Sequence, residues 1–111
     1  MIGGHDLYIL QMGVTGDVKI GRSSNVERRQ TEIQTGCPHP LRLVLHGPGL
    51  GHLESKLHKK LQRYRTRRRK GEWFHEECLA ELPVEIYDLI PEAVLEDPDW
   101  WKHQGVPDYL R

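Results

Sequence analysis

Two short apolar runs, DLYILQM at residues 6–12 and VKIGR at 18–22, stand either side of the stretch GVTGD, and this spacing constrains the fold more than any other feature. Each run is too short for an ordinary helix and carries apolar residues in near-alternation, as a strand does. A five-residue connection with two glycines and an aspartate turns the chain back on itself, so the runs form an antiparallel pair. In the first strand Tyr8 and Leu10 share one face, and Leu7, Ile9 and Gln11 share the other.

The second strand ends at Gly21 and runs into a helix. Ser24 and Glu27 have the S-x-x-E spacing of a capping box, and Gly36 stands where a helix stop is expected. Val26, Gln30 and Ile33 form the inward stripe. Arg29 flanks it, three residues after Val26 and four before Ile33. A cation on the flank of a buried stripe calls for an anion or a partner carboxylate. CPHP then makes a turn, LRLVLHG alternates as a third strand, and GPG breaks the chain before a second helix. Leu50, Leu53, Leu57 and Leu61 give that helix its core stripe, with Glu54 and His58 one turn apart beside it. EWF reads as a short apolar piece of strand, and prolines 83, 91, 98 and 107 punctuate the remainder. The expected architecture is α+β: a small antiparallel sheet of about three strands flanked by helices, with a C-terminal helical extension. Residues 1–78 are read as the domain, and 79–111 as an acidic extension packed on or appended to it.

The formal net charge is zero, which conceals a division along the chain. Residues 1–71 hold 14 Lys and Arg against 5 Asp and Glu, while 72–111 hold 2 against 11. A basic functional face with an acidic appendage follows, as does the simpler reading in which the tail folds back and neutralises the body. The run from Lys59 to Lys70 has eight basic residues and no acid. No apolar stretch approaches the ~18 residues of a membrane span. The N-terminus lacks the architecture of a signal peptide, and two cysteines, Cys37 and Cys78, are too few for a disulfide framework. An intracellular, cytoplasmic setting is expected. Histidines near both cysteines raise zinc as an option, but His75-x-x-Cys78 and Cys37-x-His39 match no familiar finger spacing.

LYIL, KIGRSSNVERR eleven residues beyond Tyr8, the helix LESKLH and GEWF, in that order, resemble the GIY-YIG nuclease superfamily. More narrowly they are similar to its divergent phage- and fungal-type subgroup, whose second motif reads K-I-G-R-S/T. The likeness spans residues 6 to 76. It departs from the superfamily pattern in having Asp6-Leu7 before Tyr8 and Lys19 where most members have tyrosine. The resemblance implies a DNA endonuclease using a divalent metal, Mg²⁺ with Mn²⁺ as the alternative, in a bacterial or phage-infected cell. It matches Tyr8 to the tyrosine of the first motif, Lys19 to the second motif, Arg29 to the helix arginine, Glu54 to the metal-binding glutamate and His58 to a histidine common in the subgroup.

Phosphodiester hydrolysis explains why such residue types converge. One carboxylate suffices for a cation that keeps most of its waters, and an arginine fork suits phosphoryl oxygens. Tyr8 is expected to accept a proton from water if a neighbouring cation, taken to be Lys19, depresses its pKa. Arg22, Arg28, Arg63, Tyr64, Arg65, Arg67, Arg68, Arg69 and Lys70 are read as contacts to nucleic acid, with Tyr64 placed to stack on a base. The rival readings are a non-catalytic nucleic-acid-binding module of the same fold, and an interaction protein acting through its acidic tail. The partner is nucleic acid, most simply DNA; a second copy, or a protein held by the tail, is the further option, and no membrane is implied.

Overall fold

A computed structural model of the chain describes residues 5–66 and 73–103. Its framework is a sheet of four antiparallel strands in the order β3-β1-β2-β4: β1 (Asp6–Met12), β2 (Val18–Ser23), β3 (Leu41–Gly47) and β4 (Trp73–Phe74). The expected sheet of three strands thus gains a fourth, because Trp73 and Phe74 pair with Lys19 and Val18. β1 lies between two neighbours and is covered on both faces, so all its residues after Asp6 are buried. Leu7 and Ile9 enter one apolar cluster, and Tyr8, Leu10 and Met12 the other.

The β1–β2 connection closes tightly, with Met12 N–H donating to Asp17 O at 2.8 Å and Gly16 N–H to Met12 O at 3.0 Å. Val14 holds a left-handed φ of 71° there, a conformation that costs a β-branched residue energy. In the β1–β3 ladder, Ile9 faces Leu45 but Leu10 faces Leu43, leaving Val44 as the extra residue of a bulge. The bulge puts both Val44 and Leu45 into the same core as Ile9.

Helix α1 (Val26–Thr35) covers the Tyr8 face through Val26 and Ile33. Its cap is Asn25, whose side chain accepts from Arg28 N–H at 3.0 Å, and not Ser24 as the capping-box spacing suggested. The shift arises because Ser23 Oγ accepts from Asn25 N–H at 3.0 Å, which sets the entry one residue later. Gly36 ends the helix as expected.

The opposite face carries α2 (Glu54–Lys60), extended by single 3-10 turns at Gly51–Leu53 and Gln62–Tyr64. Leu57 and Leu61 are buried there, with Leu50 and Leu53 at their edge. The acidic C-terminal part completes this core. A 3-10 segment at Glu76–Glu81 and the short helices α3 (Val84–Tyr87) and α4 (Glu92–Leu95) bring in Cys78, Leu82, Ile86 and Ile90, which share the cluster of Leu7 and Leu57. Arg42 ties the end of this wrap to the sheet. It donates to Gln11 Oε1 at 2.9 and 3.1 Å and to Asp97 O at 2.9 Å, and its guanidinium lies 5.2 Å from the ring centroid of buried Trp100. No helix among the described residues is long and apolar enough to cross a membrane.

Candidate active site

Tyr8 is 2% exposed, on the α1 face of β1 and opposite Gly21 of β2. A Cβ built on Gly21 would lie 2.4 Å from both the Cζ and the Oη of Tyr8, so the phenol end of the ring rests directly over the glycine backbone. A side chain at position 21 would push that ring away, which gives the glycine of the second motif a steric purpose.

β1 and α1 meet at the phenol, and a charge on α2 acts on it from beyond contact. From α1, the Arg29 guanidinium acts on it as a hydrogen-bonding cation that lowers its pKa, and the same guanidinium reaches Glu32 Oε1 at 3.4 Å. The flank position of Arg29 therefore has its explanation: the guanidinium comes down beside the stripe to a buried polar oxygen. From α2, Glu54 acts on the phenol through its charge. Burial, the largest cause, and Glu54 hold the Tyr8 pKa above its ordinary value, and Arg29 pulls against them. The bond to Tyr8 in turn holds Arg29 more firmly protonated.

This direction corrects the expectation of a depressed phenol. Burial outweighs the neighbouring cation, and the cation that touches Tyr8 is Arg29. Lys19 shares the face, being paired with Leu10 and Trp73, and its Nζ lies 5.7 Å from the centroid of the Trp73 ring. His58 Nε2 lies 2.8 Å from Ile20 O, and since a carbonyl only accepts, that nitrogen carries the proton. The bond pins α2 to β2 one residue before Gly21, and the imidazole also packs on Phe74 with centroids 5.3 Å apart.

The remaining sequence candidates are dispersed. Arg22 is exposed at the end of β2, and Arg28 is a surface residue paired with Glu32 at 3.5 Å. Arg63 and the Tyr64 hydroxyl both bond Glu81 of the acidic wrap, and Arg63 lies 5.0 Å from the Tyr64 ring centroid. Arg65 is exposed next to Thr66, whose N–H donates to Trp73 O at 2.9 Å. Arg67, Arg68, Arg69 and Lys70 lie outside the described residues.

One neighbour of Tyr8 has no sequence signal. His46 stands directly opposite it on β3, and its Nε2 lies 2.7 Å from Asp6 Oδ2. Asp6 Oδ1 accepts from Gly49 N–H at 2.8 Å, and these two bonds hold the Asp6 carboxyl below its ordinary range. The pair is forty residues apart in sequence, and the strand register alone unites it.

Among the described residues no three His, Cys, Asp or Glu side chains group as metal ligands, so a zinc site of three or four protein donors finds no support there. Glu54 offers one half-buried carboxylate whose charge reaches the phenol. That donor set fits a hard cation which keeps most of its own water.

No curated protein and no solved structure matches the chain. The family model of the T5orf172 domain matches residues 7–102, a span that takes in Tyr8, Gly21, Arg29, Glu54 and the acidic wrap as far as Lys102. With that match over most of its length, and a sheet and site of this geometry, the chain belongs to the T5orf172 domain family, a nuclease-associated family of GIY-YIG-like fold.

Proposed function

We propose that this protein is a metal-dependent endonuclease that hydrolyses phosphodiester bonds in DNA at the Tyr8–Arg29–Glu54 site, in the manner of the K-I-G-R-S subgroup it resembles. The observation that supports the reading is a buried phenol lying over Gly21 of the second motif and under α1, the helix that carries Arg29, within a chain whose T5orf172 match spans Tyr8, Arg29 and Glu54.

Arg29, 46% exposed, presents the open side of its fork to solvent and is the group to hold phosphoryl oxygens as charge develops on them. Lys19 lies on the same face and adds a second cation. Tyr8 is positioned to accept the proton of an attacking water. Its raised pKa keeps it protonated in the free protein at neutral pH, so its proton passes to solvent water as the site assembles on substrate, and Arg29 stabilises the phenolate that then accepts the attacking water's proton. Glu54 would hold the divalent cation, Mg²⁺ or Mn²⁺, which when bound supplies charge stabilisation to the phosphoryl and leaving oxygens. His58 fixes the height of α2, and hence of Glu54, against β2.

The raised Tyr8 pKa and the lysine at position 19 favour a second reading, a module that binds nucleic acid without cutting it. Supercoiled plasmid incubated with Mg²⁺ or Mn²⁺, comparing wild type with Glu54→Ala, separates the two. Nicking lost in the variant supports the enzyme; binding without nicking in either protein supports the module.

A further inference from the structure

A second feature lies on the other side of Arg29. Between the C-terminal half of α1 and the β4 end of the sheet is a cavity of about 440 Å³. Met12 and Trp73, both nearly fully buried, line it together with Ile33, Cys37 and Pro38, and Arg29 stands at its rim. These residues belong to or border the smaller of the two cores, where Ile33 and Cys37 are only half-buried. The α1-side core is therefore unsealed at this end. On the opposite face, the acidic wrap closes the core over Leu57 and Phe74.

We infer that this cavity receives the base of the nucleotide next to the phosphate held at Arg29, and so selects for unpaired or distorted nucleic acid. The inference rests on the nuclease reading, in which Arg29 takes the phosphate. The lining suits a base: Ile33, Cys37 and Pro38, with the edges of buried Met12 and Trp73, offer apolar surface to a flat ring, and a cation stands where the sugar–phosphate backbone enters. Arg29 serves both places at once, so a phosphate on its guanidinium leaves the attached nucleoside at the cavity mouth. Lys19, over the Trp73 ring, adds positive charge behind the same wall. The acid at the rim, Glu32, is paired with Arg28 at 3.5 Å and Arg29 at 3.4 Å. A base inside a duplex is stacked on both faces and cannot enter, so occupancy demands a splayed nucleotide.

Cys37 provides a readout that does not depend on cleavage. It is a free, half-buried thiol on the cavity wall, whereas Cys78 is fully buried with its thiol pushed up to about 12 by burial and stays silent to alkylation. The experiment measures the iodoacetamide alkylation rate of Cys37 in the full chain without metal. It compares no addition, a short single-stranded oligonucleotide, and an abasic sugar–phosphate chain of equal length and charge. The base-bearing strand is expected to slow alkylation roughly tenfold more than the abasic chain does. Ile33→Trp, which fills the cavity, is expected to reduce binding of the base-bearing strand to that of the abasic chain. Equal protection by the two chains overturns the base subsite, since backbone contact then explains everything. No protection by either chain, in a preparation that nicks plasmid in a Glu54-dependent way, overturns the subsite and leaves the nuclease standing. Protection by the base-bearing strand alone, in a protein that never nicks, upholds the subsite and overturns the nuclease.

Discussion

The two faces of the sheet are built to opposite specifications. The α2 face is hydrocarbon throughout its centre, from Leu7, Ile9 and Ile20 through Leu57, Leu61 and Phe74, and the acidic wrap closes it with Cys78, Leu82, Ile86 and Ile90. The α1 face is smaller, has a tyrosine at its middle, and stays open at one end. Burial on the first face stabilises the fold. On the second face, a buried phenol is held by an arginine that remains half-exposed, an arrangement that gives up packing for chemistry. The acidic wrap thus sits behind the site and reinforces the sheet that presents it.

The largest test of this contrast is Phe74→Ala, on the sealed face. It should lower stability by about 3–5 kcal/mol in urea denaturation. At temperatures where the variant is folded, a linked site would show altered nucleic-acid affinity, whereas separated faces predict none. Gly21→Ala attacks the other face. The new methyl meets the Tyr8 ring, and overpacking of this kind costs about 1–3 kcal/mol. Displacing the phenol should cost on the order of 10²-fold in plasmid nicking. A variant with wild-type nicking would show that Tyr8 need not lie over residue 21. Asn25→Ala, at the entrance to α1, should cost about 1 kcal/mol, while Ser24→Ala should stay within about 0.5 kcal/mol. Equal losses would reinstate Ser24 as the cap.

The smallest and most diagnostic effect is the titration of Tyr8. Its tyrosinate absorbance can be isolated by subtracting the spectrum of the matching Tyr8→Phe protein. Arg29 lowers the Tyr8 pKa, so Arg29→Gln should move the titration to higher pH. Glu54 raises it, so Glu54→Gln should move the titration to lower pH. No shift in either variant would mean that burial alone sets the phenol's behaviour.

Much of the frame was legible from periodicity. The alternation of Tyr8 with Leu7 and Ile9, the four-residue leucine spacing and the stop at Gly36 each express a local geometry that adjacent residues fix by themselves. Arg29 was legible too, because a cation on a buried flank requires an explanation. Its partner was not, since Tyr8 lies on another element, twenty-one residues earlier. The cap was misplaced by one residue because Ser23, Ser24 and Asn25 are all competent, and only the hydrogen bonds of the β2 exit choose among them.

The sequence by itself determined the first three strands and the two main helices, the faces of β1, the basic and acidic halves, and the order of motifs that carries the resemblance. Tertiary structure decided the rest. It set the sign of the Tyr8 pKa, because desolvation depends on everything packed around the phenol. It gave Tyr8 to Arg29 and left Lys19 beside Trp73, because strand register and the seating of α1 fix which cation arrives. It brought the acidic tail into the core, because Leu82, Ile86 and Ile90 find their apolar partners only once the sheet and α2 are in place.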